Sequence, residues 1–226
     1  MAAGSTAAIS AGAATGDARR IGVLFMVGSA CFAVASLPGA SSVSDKVVGV
    51  VYFVGSIFFT TAAFEQLRVA RGTGNEVRAA VVQFAGTISF NVTTFFGMYH
   101  HFTAHRSNLL VWSPDAVGSV CFLVSSVLAE LAVLHAVLLV RRSATLNLIG
   151  SVAFGISAVA GYVVPDTNEL LNASLATSMT LVGALCFLWA ARILVKPPRW
   201  LLPATRGGVA PAGGPVQSAS QPPTSS

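Results

Sequence analysis

Glu130 is the residue whose position most invites chemistry, because it is the one acidic side chain in the middle of an apolar segment. A carboxylate in hydrocarbon must be protonated, paired or turned toward water, and intramembrane ionisable groups mark ion and proton routes. Counted back from Arg141 and Arg142, which bound the segment, Glu130 lies about 15 Å deep at the helical rise. Asn91, counted from the start of its own segment, lies about 18 Å deep, so an amide and a carboxyl come to nearly one level. Two uses fit that pair. One is an interhelical clamp in which a neutral Glu130 hydrogen-bonds Asn91; the other is a proton relay or ion ligand. His135 follows five residues later, which is about 500° of helical rotation and so about 140° round from Glu130. The two do not share a face, and Gln83, at a depth like that of His135, is its expected partner.

Other reactive side chains are fewer. His100, His101 and His105 fall together between two apolar segments, with His101 and His105 one turn apart if a helix continues through them. No cysteine and no carboxylate other than Asp115 is near enough in sequence to complete a shell, so interfacial histidines are expected there and no metal. Cys31, Cys121 and Cys186 are odd in number, form no CxxC and all lie in apolar segments, which argues against a disulfide framework. There is no GxSxG, no HExxH and no glycine-rich phosphate loop with its lysine. An enzyme is not expected, nor is a cofactor.

The elements that must position these residues are membrane helices. The chain has 226 residues, of which 54% are hydrophobic and only 9% charged, against about 25% charged in a soluble domain. Six apolar segments are expected to span, at about 21–37, 47–67, 79–99, 115–140, 146–164 and 170–195. The first resembles a cleavable secretory signal, since Arg19 and Arg20 precede an apolar run and Ala33-Val34-Ala35 follows, but its internal motif, described next, makes it equivalent to the other five. Residues 1–18 and 197–226 are rich in Ala, Gly, Ser and Pro and are expected to be disordered tails on either side of a membrane domain over 19–196.

Each segment carries one copy of a Gly, small residue, two variable positions, Phe motif: GSACF, GSIFF, GTISF, GSVCF, GSVAF and GALCF. The pairs are Gly28 and Phe32, Gly55 and Phe59, Gly86 and Phe90, Gly118 and Phe122, Gly150 and Phe154, and Gly183 and Phe187. The starts are separated by 27, 31, 32, 32 and 33 residues, about one membrane helix plus a loop. In lipid no hydrophobic force presses helices together, so they associate by close approach, which small residues permit. A Phe four positions after Gly stands one turn away on the same face, so each copy offers a notch beside a knob. If each copy lies early in its span, alternating helix direction pins the bundle at two depths. Ser151, Gly155, Ser157 and Gly161 are expected to extend the contact stripe of the fifth span. The fold expected is all-α, a polytopic six-helix transmembrane bundle built from a single-helix GSxxF repeat.

Eleven of the thirteen Lys and Arg residues fall on the side that holds both termini, leaving Lys46 and Arg106 on the other. Positively charged flanks stay in the cytoplasm, which predicts a multi-pass cell-membrane protein with both termini cytoplasmic. The net charge of +5 is scattered in ones and twos and forms no basic face, so nucleic acid is excluded as a partner. The expected partner is the lipid bilayer, and a protein partner would be a second copy or another membrane protein.

WSPDAVGSVCFLVSSVLA (Trp112 to Ala129), FNVTTF (Phe90 to Phe95), YFVGSIFFTTAAF (Tyr52 to Phe64) and LNLIGSVAFGISAVAGYVVP (Leu146 to Pro165) resemble the actinobacterial integral membrane proteins with YrhK-like domains. The resemblance covers about Ile21 to Val195. It implies a six-span membrane protein and brings no substrate, cofactor or catalytic residue with it. Two functions are therefore expected to compete. One is a non-enzymatic packed bundle with a structural or regulatory role. The other is a small transporter or channel that uses Glu130 and Asn91 near mid-bilayer, which requires a hydrated cavity lined by them.

Overall fold

A computed structural model describes residues 2–42, 44–70, 74–99, 102–136 and 138–195. Long helices dominate: α1 (Ala2–Ala35), α2 (Asp45–Val69), α3 (Asn75–Gly97), the single turn α4 (Ala104–Ser107) running on into α5 (Ser113–Ala132), α6 (Leu138–Ala160) and α7 (Ala173–Val195). Among the described residues six stretches are long and apolar enough to cross a membrane, with Gly16–Ala35 the part of α1 that qualifies and Ala104–Ala132 the fourth. α1 extends back to Ala2, ahead of the stretch from Gly16 that is apolar enough to span. Of the two faces of the bundle, the terminal face is the one where α1 enters its span and α7 ends; the distal face is the other.

Both ends of the fourth and fifth spans differ from expectation. The fourth span begins at Ala104, well before the expected Asp115, because a π turn over Asn108–Trp112 carries the helix past Pro114. Its wider winding relieves the clash a proline ring makes with the carbonyl four residues back. The turn is anchored on all sides. Ser113 N–H and Oγ both donate to Asn108 O, Thr93 Oγ1 donates to Val111 O at 2.5 Å, and Trp112 Nε1 donates to Ala158 O at 2.8 Å. Asn108 also brackets Val163, donating to its carbonyl and accepting its N–H. Val163 begins β1 (Val163–Val164), which pairs antiparallel with β2 (Glu169–Leu170) in a small distal hairpin; Asn168, at φ 59°, makes its turn. The fifth span therefore ends at Ala160 and not at Val164.

The second difference is larger. The fourth span ends at Ala132, a turn occupies Val133 to Ala136, and α6 starts at Leu138, so Arg141 and Arg142 lie in the first turns of α6 and do not form a loop. Hydropathy cannot find that turn, because it is made of the apolar residues Val133, Leu134 and Ala136 around His135.

Each span packs on its neighbours in chain order, and α1 packs on α7, so the six helices close into a ring. Large apolar side chains such as Val120 and Val159, 60% and 66% exposed, cover its outside, as lipid contact requires. Within the ring the motif glycines meet in pairs: Gly28 with Gly55, Gly86 with Gly118, and Gly150 with Gly183. A Cβ on Gly28 would stand 2.9 Å from Gly55 O, and one on Gly55 3.1 Å from Gly28 O. The bundle is thus three glycine-locked hairpins, α1 with α2, α3 with α5, and α6 with α7. The expected pinning at two depths does not hold. Every motif glycine sits near the middle of its helix, so reversing the helix direction does not change its level. The expected stripe on α6 is also broken, because a Cβ at Gly155 would have nothing within 4 Å and the residue faces outward.

Candidate functional site

From the glycine level the six motif phenylalanines reach the axis of the ring. In α1, α3 and α6 the chain runs from the terminal face outward, so Phe32, Phe90 and Phe154 lie about 6 Å toward the distal face; in the reversed helices Phe59, Phe122 and Phe187 lie as far toward the terminal face. Two aromatic layers result. In the terminal layer all three rings touch, with centroids 5.7 to 6.2 Å apart, and in the distal layer Phe154 touches both others at 5.8 and 5.9 Å. The layers are joined within each hairpin by Phe32 with Phe59 at 5.5 Å, Phe90 with Phe122 at 5.0 Å, and Phe154 with Phe187 at 5.4 Å. All six rings are buried, none more than 6% exposed. The space left between them is about 10 Å³, and Ser56 is its only polar lining residue. A water needs at least that much room and two to four polar partners. The rings form a dry septum across the bundle.

Below the septum a vestibule of about 780 Å³ opens on the terminal face. All six spanning helices line it. Its floor is aromatic, made by Phe25, Phe122 and Phe187. Its wall carries Gln66, Gln83 and Asn147 with Ser125, Ser126 and Ser143. The serine protons are already committed. Ser125 donates to Ala79 O at 2.9 Å, Ser143 to Ala190 O at 3.1 Å, and Ser126 shares a 2.7 Å bond with Ser151, so each ties one helix to another. Of the amides, Gln83 accepts a long 3.4 Å bond from Ser125, and the side chains of Gln66 and Asn147 make no hydrogen bond among the described residues. Beside the mouth Glu65, 15% exposed, accepts from Arg20 at 2.5 Å and from Arg68 at 3.3 Å, bracing α1 against α2. On the distal face a groove of about 360 Å³ reaches Tyr52 and Leu181, which pack on the septum from the other side. Ser36 and Tyr52 share a 2.7 Å hydrogen bond there.

The pairs expected from the sequence are not the pairs found. Glu130 is two residues from the end of α5, near the terminal face and not at mid-bilayer, because the helix stops at Ala132. Its Oε1 accepts from Thr145 Oγ1 at 3.1 Å and its Oε2 is buried without a partner. Asn91 follows Phe90 on α3 and bonds Thr60: Nδ2 donates to Thr60 Oγ1 at 2.9 Å, and Thr60 donates in turn to Ser56 O at 3.0 Å. With Ser56 and Thr94 sharing a 2.9 Å bond, this network clamps α2 to α3, and Asn91 Oδ1 is left buried and unpartnered. The Glu130–Asn91 clamp is therefore corrected on both sides. So is the pairing of His135 with Gln83, since His135 lies in the exposed turn after α5. Neither Glu130 nor Asn91 lines the vestibule. His105 is exposed on α4, while His100 and His101 lie outside the described residues. No group of three or more His, Cys, Asp or Glu is placed to hold a metal among the described residues. The three cysteines are free, with Cys31 and Cys121 against the partner glycines Gly55 and Gly86.

The vestibule residues Gln66, Asn147 and Ser143 are ones that sequence reasoning does not single out. A signal for one set exists: Phe25, Gln83 and Asn147 each stand three residues before the motif glycine of α1, α3 and α6, so extending the repeat by three positions places them at one level. Comparison of the chain with protein-family models, curated proteins and solved structures returns no match. The resemblance to YrhK-like-domain proteins thus gains no support.

Proposed function

We propose that the protein is a non-enzymatic multi-pass bundle of the cell membrane with a structural or regulatory role, closed to the passage of solutes. The septum is the observation that carries this reading. Six buried rings fill the axis and leave about 10 Å³, which is far below the 300 to 1,000 Å³ typical of a small-molecule site. The hydroxyl bonds between hairpins and within them, such as Ser126 with Ser151 and Ser157 with Thr180 at 2.7 Å each, support a rigid ring. Both termini are assigned to the cytoplasm, supported by Arg19, Arg20, Arg68, Arg78, Arg141, Arg142 and Arg192 at the terminal ends of their helices, against Lys46 and Arg106 at the distal ends. A panel of neutral and charged solutes tested for uptake into proteoliposomes examines the proposal. Uptake no greater than that of empty liposomes is expected for every solute.

A second reading, a small transporter, is favoured by one observation: the vestibule and the distal groove approach the same septum from opposite faces. In that reading the rings are a gate that parts, and the route does not use Glu130 or Asn91. Saturable uptake of any member of the panel would select it.

A further inference from the structure

We propose that the terminal-face vestibule is a binding site for a small, uncharged, planar molecule with a hydrogen-bond donor and acceptor on one edge, such as an aromatic amide or a neutral nitrogen heterocycle. This goes beyond a closed bundle and does not depend on it, since a dead-end cavity and a gated one bind equally well.

Three features of the cavity set the ligand class. Its size, about 780 Å³, is that of a small-molecule site, and every helix of the ring contributes to it. Its floor of Phe25, Phe122 and Phe187 offers flat apolar surface on which a ring can stack or sit edge-on. Its remaining hydrogen-bonding capacity belongs to amides, because the serines are bonded across the ring: Gln83 keeps both N–H groups free and Asn147 and Gln66 keep donors and acceptor. An amide presents a donor beside an acceptor, which matches the same pair on a ligand edge. Among the described residues no Lys or Arg lines the cavity, and the one acidic residue there, Asp17, precedes Phe25 by eight residues on α1, about 12 Å further toward the mouth. A charged ligand at the floor would lose its hydration without a counter-charge.

The repeat adds an independent argument. Gly and Phe are the same in all three hairpins, as packing about a common axis demands, but at the level three residues before the glycine they supply a ring and two different amides: Phe25, Gln83 and Asn147. A surface needed only for packing has no use for free amides there. One that receives an asymmetric planar ligand needs a ring on one side and amides on the others.

Nicotinamide is a suitable probe, with nicotinate as the anionic control of the same shape. With the full-length protein in detergent, millimolar nicotinamide is expected to raise the thermal midpoint and nicotinate to leave it unchanged. The Gln83→Leu/Asn147→Leu double variant should lose the response. A second measurement does not depend on how that variant folds: Ala129→Cys, on the cavity wall but outside the amide set, should react with a neutral maleimide, and nicotinamide at twice its Kd should slow the reaction ~3-fold by filling two thirds of the sites. Equal responses to nicotinate, a response preserved in the double variant, or no effect of nicotinamide on either the midpoint or the labelling rate would overturn the assignment.

Discussion

Gly86 and Gly118 face each other so closely that a Cβ on either one would stand 3.2 Å from the other's carbonyl oxygen. The same meeting recurs at Gly28 with Gly55 and Gly150 with Gly183, and each brings its two phenylalanines to the axis as a touching pair. The backbone contact and the septum are therefore one device. Whatever separates the glycines withdraws the rings.

Gly118→Leu is accordingly expected to destabilise the protein by roughly 1–3 kcal/mol, as overpacking of a filled site does. Gly155→Leu is the control, because nothing lies within 4 Å of a Cβ at that position. Thermal unfolding in detergent should show a lowered midpoint for the first variant and a near-native one for the second. Equal midpoints would refute the glycine lock.

Much of this arrangement is legible in the sequence and some of it is not. The six-fold motif exposes helix number, helix length and the contact face, since close approach in lipid restricts which residues can occupy the crossing. The depth of Glu130 is hidden because a turn made of Val133, Leu134 and Ala136 has the hydropathy of a span, and only backbone geometry reveals it. The vestibule is hidden for a different reason. Gln66 and Gln83 come from the consecutive helices α2 and α3 but Asn147 from α6, far along the chain, and what unites them is the closing of the helices into a ring.

Ser29 is fully buried on α1 and its Oγ has no partner, whereas the corresponding residue of the sixth motif copy is Ala184. An unsatisfied buried hydroxyl costs about 1 kcal/mol or more. Ser29→Ala should thus raise stability by about that amount. A loss of stability would mean that the hydroxyl is hydrogen-bonded inside the bundle and would overturn its assignment as unsatisfied.

Glu130 and Asn91 have no shared partner, so their contributions should be independent. In a double-mutant cycle of Glu130→Leu and Asn91→Leu the two effects should add within ~0.5 kcal/mol. Asn91→Leu is expected to cost ~1 kcal/mol because it removes the bond to Thr60 between α2 and α3. A coupling well above the additive limit would restore the clamp between the two.

The assignment of the faces is open to labelling in whole cells. His105→Cys, exposed on the distal face, should react with an impermeant maleimide added outside, and His135→Cys, exposed at the terminal face, only after lysis. The reverse pattern would invert the topology.

Stopped-flow water permeability of proteoliposomes tests the septum most directly, because water is the smallest solute that six rings must exclude. The wild-type protein should add nothing to the permeability of the lipid. Phe122→Ala/Phe187→Ala, which removes two of the three rings of the terminal layer, should raise it with a low activation energy. Water flux through the wild-type protein as fast as through that variant would contradict a closed axis.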